Sequence, residues 1–105
     1  MPQFPDIDID TDVLAEKKTK LEKPKLFRVL LHNDDFTTME FVVFILSHVF
    51  NRDEREAISI MLKVHNDGVG VAGIYPYEIA NMKSEKAMNI AKGREYPLLC
   101  TVEEE

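Results

Sequence analysis

The chain has 105 residues, a single cysteine and a formal net charge of −6, which results from 13 basic and 19 acidic side chains. This length predicts one domain whose core needs no disulfide or metal. The acidic balance argues against nucleic acid as a partner, because nucleic-acid-binding faces are normally basic. One cysteine excludes an internal disulfide and a zinc site built on several thiolates.

Residues 1–24 are predicted to form a flexible extension of a core domain that spans residues 25–105. The extension starts with the acidic run MPQFPDIDIDTD, and prolines at positions 2, 5 and 24 disfavour regular structure. It has neither the basic start nor the apolar segment of a signal peptide. No apolar run approaches the length of a membrane span. We therefore expect a cytoplasmic protein without a membrane partner.

The first strand is predicted over residues 25–32, KLFRVLLH, where apolar side chains alternate with a period of two. The sequence Asn33-Asp34-Asp35 follows as a turn, since Asn and Asp favour turns. A first helix is then predicted to begin near Thr37, in a capping box with Glu40, and to contain the apolar segment MEFVVFILSHVF.

A second helix is predicted to begin at Asp53, in a capping box with Glu56, and to end at about Asn66. Because the link between the two helices is short, we expect them to be antiparallel neighbours, with the end of the second beside the start of the first. The inward stripe of the second helix is predicted at a helical spacing, namely at Ile58, Met61, Leu62 and His65.

The remaining chain predicts a strand, a third helix and a last strand. Residues 68–75, GVGVAGIY, indicate a strand with close backbone approaches. Their G-x-G-x-x-G spacing is that of a dinucleotide-binding fingerprint, but here the run follows a helix and is itself the strand, so we expect no cofactor. Pro76 suits the first turn of the third helix and Gly93 the position after its end. The strand LLCTV follows Pro97.

The order β-α-α-β-α-β predicts a two-layer α/β sandwich, with three helices on one side of a three-stranded antiparallel sheet. This packing brings His65 close to Asn33 and Asp34. The gap between them is then lined by the apolar side chains of Met39, Met61 and Val64. Such a site accepts hydrogen bonds on one side and is apolar and adaptable on the other. It suits an ammonium group next to a bulky apolar group, as in the N-terminal residue of a peptide.

Other interpretations remain open at this point. The Asn-Asp-Asp turn is often only a helix cap, and a histidine on an apolar helical face is more often a core residue. Asp34 and His65 have the chemistry of a general acid–base pair, although no activated nucleophile accompanies them. With Asp35 they offer ligands for a divalent metal ion, although no spacing demands one. A third alternative is an interaction module that acts through the third helix. We predict neither a catalytic residue nor a metal site.

Four stretches of the sequence resemble the ClpS family of bacterial adaptors, which hand proteins with destabilising N-terminal residues to a Clp AAA+ protease. They are KLFRVLLHNDDFTTMEFV, IMLKVH, GVGVAGIY and PLLCTVE, and they span roughly residues 24–103. The resemblance implies a non-enzymatic adaptor. Its implied partners are proteins with N-terminal Leu, Phe, Tyr or Trp and the N-terminal domain of a ClpA-type unfoldase. A ClpC-type unfoldase, and the preference among the four residues, stay open.

The resemblance also implies residue roles. Asn33, Asp34 and His65 match positions that bind the substrate's α-amino group, and Asp35 is a secondary polar residue. The side-chain pocket is implied to consist of Leu31, Thr37, Thr38, Met39, Val42, Met61, Val64 and Leu98. Glu78 and Lys83 match part of the face that docks on the unfoldase. The chain departs from the usual family pattern at Thr38, where Pro is common, and at Asn81-Met82, where Glu-Thr is common.

Overall fold

The computed structural model describes residues 23–105, and the predicted extension over residues 1–24 lies outside that range except for its last two residues. Six elements follow one another in the predicted order. They are strand β1 (Leu26–His32), helices α1 (Met39–His48) and α2 (Glu54–Asp67), strand β2 (Val69–Pro76), helix α3 (Tyr77–Gly93) and strand β3 (Leu99–Glu104).

The sheet has the order β2-β1-β3, and both pairs of neighbouring strands are antiparallel. The central strand β1 follows the alternation expected from its sequence. Val29 and Leu31 are fully buried, whereas Arg28 and Leu30 on the other face are only partly buried. The buried face of β1 belongs to one core cluster with residues of all three helices. The predicted two-layer α/β sandwich is therefore confirmed.

Helix α3 packs against the sheet through small side chains spaced three or four residues apart, which are Ala80, Ser84, Ala87 and Ala91. The Ser84 hydroxyl donates a hydrogen bond to the carbonyl of Cys100 in β3 at 3.4 Å. Cys100 is buried, and burial raises the pKa of its thiol to about 12. The thiol is therefore protonated at neutral pH.

The start of α1 differs from the prediction by one residue. Thr38 is the N-cap, and its hydroxyl accepts a hydrogen bond from the N–H of Phe41 at 3.1 Å. The predicted cap, Thr37, instead donates its hydroxyl to the carboxylate of Asp34 at 2.7 Å. Hydrogen bonds to an ionised acceptor are the stronger kind, which explains this choice of partner. The predicted capping box of Thr37 with Glu40 is therefore wrong.

The other helix ends give one confirmed and one wrong prediction. Asp53 and Glu56 form the predicted capping box at the start of α2. Gly93 was predicted to be the first residue after α3, but it is the last residue of the helix. The residue with the left-handed conformation that often follows a helix is Glu95, with φ of 63°. The N–H of Tyr96 reaches back to the carbonyl of Ala91 at 2.8 Å, so this turn closes two residues later than the glycine indicates.

Helix α2 is rotated by about one residue relative to the prediction. Its inward side consists of Ala57, Ile60, Met61 and Val64. Ile58, Leu62 and His65, which were predicted to face inward, are exposed. Both stripes carry apolar residues at helical spacing, so periodicity alone does not choose between them. The rotation leaves the imidazole of His65 accessible to a ligand instead of burying it in the core.

Candidate functional site

A pocket of about 330 Å³ opens where the turn after β1 meets the start of α1 and the end of α2. Polar groups line one part of it and apolar side chains the other. The lining residues are Asn33, Asp34, Asp35, Thr37, Thr38, Met39, Val42, Met61, Val64 and His65. The antiparallel packing of α1 and α2 thus brings together all but two of the residues expected to bind a ligand.

The turn is held by the carboxylate of Asp34, which accepts three hydrogen bonds. Its Oδ1 accepts from the N–H groups of Phe36 at 2.8 Å and Thr37 at 2.7 Å, and its Oδ2 accepts from the Thr37 hydroxyl. Partial burial acts to raise the pKa of this carboxyl, but the hydrogen bonds favour the charged form and hold the pKa below its usual 3.8. Asp34 is therefore ionised at neutral pH. Since a carboxylate has about four acceptor sites, it can still accept a hydrogen bond from a ligand.

A backbone hydrogen bond joins the two sides of the pocket. The N–H of Asn33, just after β1, donates to the carbonyl of Gly68, the C-cap of α2, at 2.9 Å. Gly68 has a φ of 88°, a left-handed conformation that glycine adopts at little cost. This bond fixes Asn33 relative to the last turn of α2, which carries His65. The sequence did not predict this contact, although a glycine after a predicted helix is a signal for such a cap.

The apolar part of the pocket comes from two helices. Met39 and Val42 lie in the first turn of α1, and Met61 and Val64 lie in the second half of α2. Val42 and Val64 are almost fully buried, whereas Met39 is 42% exposed. The valines therefore form a fixed floor and Met39 forms part of the rim. Methionine side chains adapt to the shape of a partner, so this part of the pocket suits bulky apolar groups.

The charges around the pocket favour a cation. Asp34 and Asp35 contribute acidic side chains, and the C-terminal end of α2 directs partial negative charge toward the same region. The N–H groups of Phe36 and Thr37, just before α1, donate to Asp34 and help to keep that carboxylate ionised. His65 adds a ring nitrogen that accepts a hydrogen bond when the imidazole is neutral. A positively charged donor of several hydrogen bonds fits this arrangement.

Comparison with known proteins decides the family. The family model described as ATP-dependent Clp protease adaptor protein ClpS matches residues 22–101. The chain belongs to the ClpS family. The ClpS adapter of Desulfatibacillum aliphaticivorans is 54% identical over 94 residues, which cover 90% of each chain. That of Caulobacter vibrioides (strain NA1000 / CB15N) is 45% identical over 97 residues, which cover 92% of this chain and 89% of the relative. The protein is accordingly an adaptor of the ATP-dependent Clp protease.

A solved structure supports the ClpS fold. Agrobacterium tumefaciens ClpS2, in its structure bound to L-phenylalaninamide, superposes with a TM-score of 0.76 at 36% sequence identity. The match covers 79% of this chain and 100% of the ClpS2 chain. The β-α-α-β-α-β sandwich described above is therefore a ClpS fold.

Two of the expected pocket residues of this ClpS family member do not line the pocket. Leu31 is fully buried in the centre of β1, and Leu98, just before β3, is 5% exposed. Both belong to the core cluster that supports the pocket from below. Leu31 points to the core because it shares the buried face of β1 with Val29, so its contribution is to the position of the adjacent turn.

The two residues expected to dock on a Clp unfoldase lie in different surroundings on α3. Glu78, in the first turn, is exposed and lines a groove of about 460 Å³ together with Phe27, Tyr77 and Ile79. The ammonium group of Lys83 instead donates to the carbonyl of Val49 at 2.8 Å and lies 5.3 Å from the centre of the Tyr75 ring. Lys83 therefore has an internal role, because it satisfies a carbonyl at the end of α1.

The arrangement of Asp34, His65 and their neighbours bears on the acid–base and metal-ion interpretations. No hydrogen bond joins Asp34 to His65, and both oxygens of Asp34 already hold the turn. Residues 23–105 contain no group of three His, Cys, Asp or Glu side chains arranged to hold a metal ion. No helix in this part of the chain has the length and apolar character needed to cross a membrane.

Proposed function

We propose that this adaptor acts in the cytoplasm and binds proteins through their N-terminal residue, when that residue is Leu, Phe, Tyr or Trp. The observation that carries the proposal is the pocket between β1, α1 and α2, where hydrogen-bond acceptors and an apolar floor lie side by side. Substrates bound in this way are delivered to the N-terminal domain of a ClpA-type unfoldase. The extension over residues 1–24 and the exposed Glu78 take part in delivery.

The polar part of the pocket suits an α-ammonium group. Such a group has a pKa of about 7.7–8.0 and is mostly charged at neutral pH, with three N–H donors. The amide oxygen of Asn33, the carboxylate of Asp34 and the imidazole of His65 are three acceptors for these donors. The acidic side chains and the end of α2 favour its charge. Asp34 contributes chiefly through its negative charge and through water, since its oxygens also hold the turn.

The apolar part of the pocket suits a large side chain next to that amine. Burial of such a side chain stabilises a complex by about 1.5–3 kcal/mol. Hydrogen bonds that involve a charged group add about 1.5–3 kcal/mol each before ordering costs. With additional contacts to the peptide backbone, these contributions bring the roughly −8 kcal/mol of a micromolar complex within reach. Neither the polar nor the apolar contribution alone is sufficient for micromolar binding. The pocket therefore recognises a free amine and a bulky side chain in combination.

The chemistry of a relative's ligand agrees with this proposal. L-phenylalaninamide, to which A. tumefaciens ClpS2 is bound, combines a free α-amino group with a bulky aromatic side chain. Its carboxamide resembles the first peptide bond of a chain, so the molecule has the chemistry of an N-terminal Phe residue. The relative thus binds a ligand of the class proposed here.

The proposal is tested by fluorescence anisotropy with peptides that differ only at their N-terminus. We expect micromolar binding of a peptide with a free N-terminal Phe. Binding is lost when the amine is acetylated, because acetylation removes the charge and adds bulk. A peptide with N-terminal Ala binds weakly, because it leaves the apolar floor unfilled. Equal binding of the free and acetylated Phe peptides would contradict the proposal.

Variants of the adaptor localise the effect to the pocket. Asn33→Ala and His65→Ala each remove one acceptor, and we expect each to weaken binding of the free Phe peptide by about tenfold or more, from 1.5–3 kcal/mol per charged hydrogen bond. Arg55→Ala is the matched control, because Arg55 is exposed on the same helix but lines a separate groove with Ile60 and Ile74. Its affinity for the peptide should equal that of the wild type.

A further inference from the structure

Gly70 in β2 lies directly against one of the residues that form the pocket floor. It is buried and pairs with Leu31 of the central strand. A Cβ atom built on Gly70 would lie 2.8 Å from Cγ2 of Val64 and 3.5 Å from the N atom of Val64 and the carbonyl oxygen of Ile60. A separation of 2.8 Å is too short for two carbon atoms. The missing side chain of Gly70 therefore gives Val64 the space that it occupies.

Val64 has little freedom to avoid a larger neighbour. It is 2% exposed, it lies inside a helix, and a β-branched side chain there has one strongly preferred rotamer. Its own carbonyl accepts the N–H of Gly68 at 2.9 Å, which holds the end of α2 in place. Because Val64 also lines the pocket, any displacement of its side chain away from β2 changes the pocket.

We propose that Gly70 is a positioning residue that sets the depth of the pocket, and thereby the largest N-terminal side chain that the adaptor accepts. The inference rests on the function proposed above and names a determinant of its specificity. Gly70 acts through Val64 and does not touch the ligand itself. The absence of a side chain at position 70 lets Val64 sit back against β2, so the pocket keeps room for aromatic rings.

Gly70 is one of the three glycines, Gly68, Gly70 and Gly73, that form the G-x-G-x-x-G spacing. Their positions in the fold explain this spacing without a dinucleotide site. Gly68 supplies the left-handed cap of α2, and Gly70 supplies the close approach of α2 to β2. A Cβ atom on Gly73 would collide with the ring of Tyr75. The first two glycines therefore fix the position of α2 relative to the turn and the sheet, which is the geometry on which the pocket depends.

The test measures the preference between a peptide with N-terminal Trp and the same peptide with N-terminal Leu. A side chain added at a well-packed buried site forces its neighbours to shift. We therefore expect Gly70→Ala to raise the ratio of Kd for Trp to Kd for Leu by about fivefold or more. Gly93→Ala is the control, because nothing lies within 4 Å of a Cβ atom there. It should leave the ratio unchanged.

Variants of Val64 provide a second test of the inference, which does not depend on whether the single variant Gly70→Ala folds. Val64→Ala deepens the pocket and should shift the preference toward Trp. In the double variant Gly70→Ala/Val64→Ala, the methyl group that a Cβ atom on residue 70 would meet, Cγ2 of Val64, is absent. Its ratio of Kd for Trp to Kd for Leu should therefore agree with that of Val64→Ala within about twofold. A difference of about fivefold or more between the ratios of Val64→Ala and the double variant would overturn the inference, because Gly70→Ala would then act on the pocket by a route other than Val64.

The two proposals fail in different ways. If the wild-type adaptor binds neither free peptide, the proposed function is wrong, and the role of Gly70 falls with it. If the wild type binds both peptides and Gly70→Ala keeps the wild-type ratio, only the inference on Gly70 is wrong. A uniform loss of affinity for both peptides in Gly70→Ala, with no change of ratio, also contradicts it, because a purely structural defect has that signature.

Discussion

Replacement of Asp34 by Ala removes the acceptor that holds the turn at the mouth of the pocket. Two of the three lost hydrogen bonds, both from Thr37, are partly buried, and the third, from Phe36, is exposed. A hydrogen bond to a charged group is worth about 1.5–3 kcal/mol at most, and less where water replaces the partner. We count about 1 kcal/mol for each bond from Thr37 and little for Phe36. The free energy of unfolding should therefore fall by about 2 kcal/mol.

Asp34→Asn separates the charge from the shape of the turn. Its amide oxygen still accepts from both backbone N–H groups, so we expect a smaller loss of about 1 kcal/mol, since neutral hydrogen bonds are roughly half as strong. Urea unfolding followed by circular dichroism measures both losses. Amide hydrogen exchange at Phe36 and Thr37 shows whether the turn itself has opened.

The pH dependence follows from the lowered pKa of Asp34. A carboxyl whose pKa is lower in the folded than in the unfolded chain stabilises the fold fully above its unfolded pKa, near 3.8, and loses this contribution as the pH falls through its folded pKa. The difference in stability between the wild type and Asp34→Asn should thus be constant near neutral pH and shrink below pH 3.8. An equal difference at neutral and at strongly acidic pH, or a loss below about 0.5 kcal/mol for Asp34→Ala, would refute this account of the turn.

Two further predictions concern α3 and β3. Lys83→Met keeps the apolar stem but removes the ammonium that contacts Val49 and Tyr75, and should cost about 1–2 kcal/mol in urea unfolding. Lys86→Met, at an exposed position of the same helix, is the control, and an equal effect of both would contradict the internal role of Lys83. The thiol of Cys100 should resist a thiol reagent in the folded protein and react on unfolding, because burial raises its pKa to about 12. Rapid, complete labelling without denaturant would show that the thiol is accessible.

Much of the candidate site was predictable because its parts are local. The Asn-Asp-Asp turn, the apolar start of α1 and the capping box of Asp53 with Glu56 depend on residues within about four positions of each other. The approach of His65 to Asn33 followed from the short link between two helices. The resemblance to the ClpS family added the roles of these residues, which remain predictions for the assays described above.

Other features depended on contacts that no short segment contains. The choice between Thr37 and Thr38 as N-cap was decided by competition for the Asp34 carboxylate. The end of α3 was decided by a turn that reaches Tyr96, not by Gly93. In both cases two nearby residues were suitable for the helix end by their local sequence, and contacts with the surrounding structure determined which one was used.

The sequence by itself determined the order of the elements, the turn that carries the polar groups and the helical spacing of the apolar ones. It did so because hydrogen-bonding patterns and periodicity are encoded by near neighbours. Only the tertiary structure decided which stripe of α2 faces the core, and hence that His65 is accessible while Val64 is buried. The fit of Val64 against Gly70 and the position of Lys83 on Val49 were decided there as well. The physical reason is steric: the rotation of a helix is fixed by side chains distant in sequence that must share the same space.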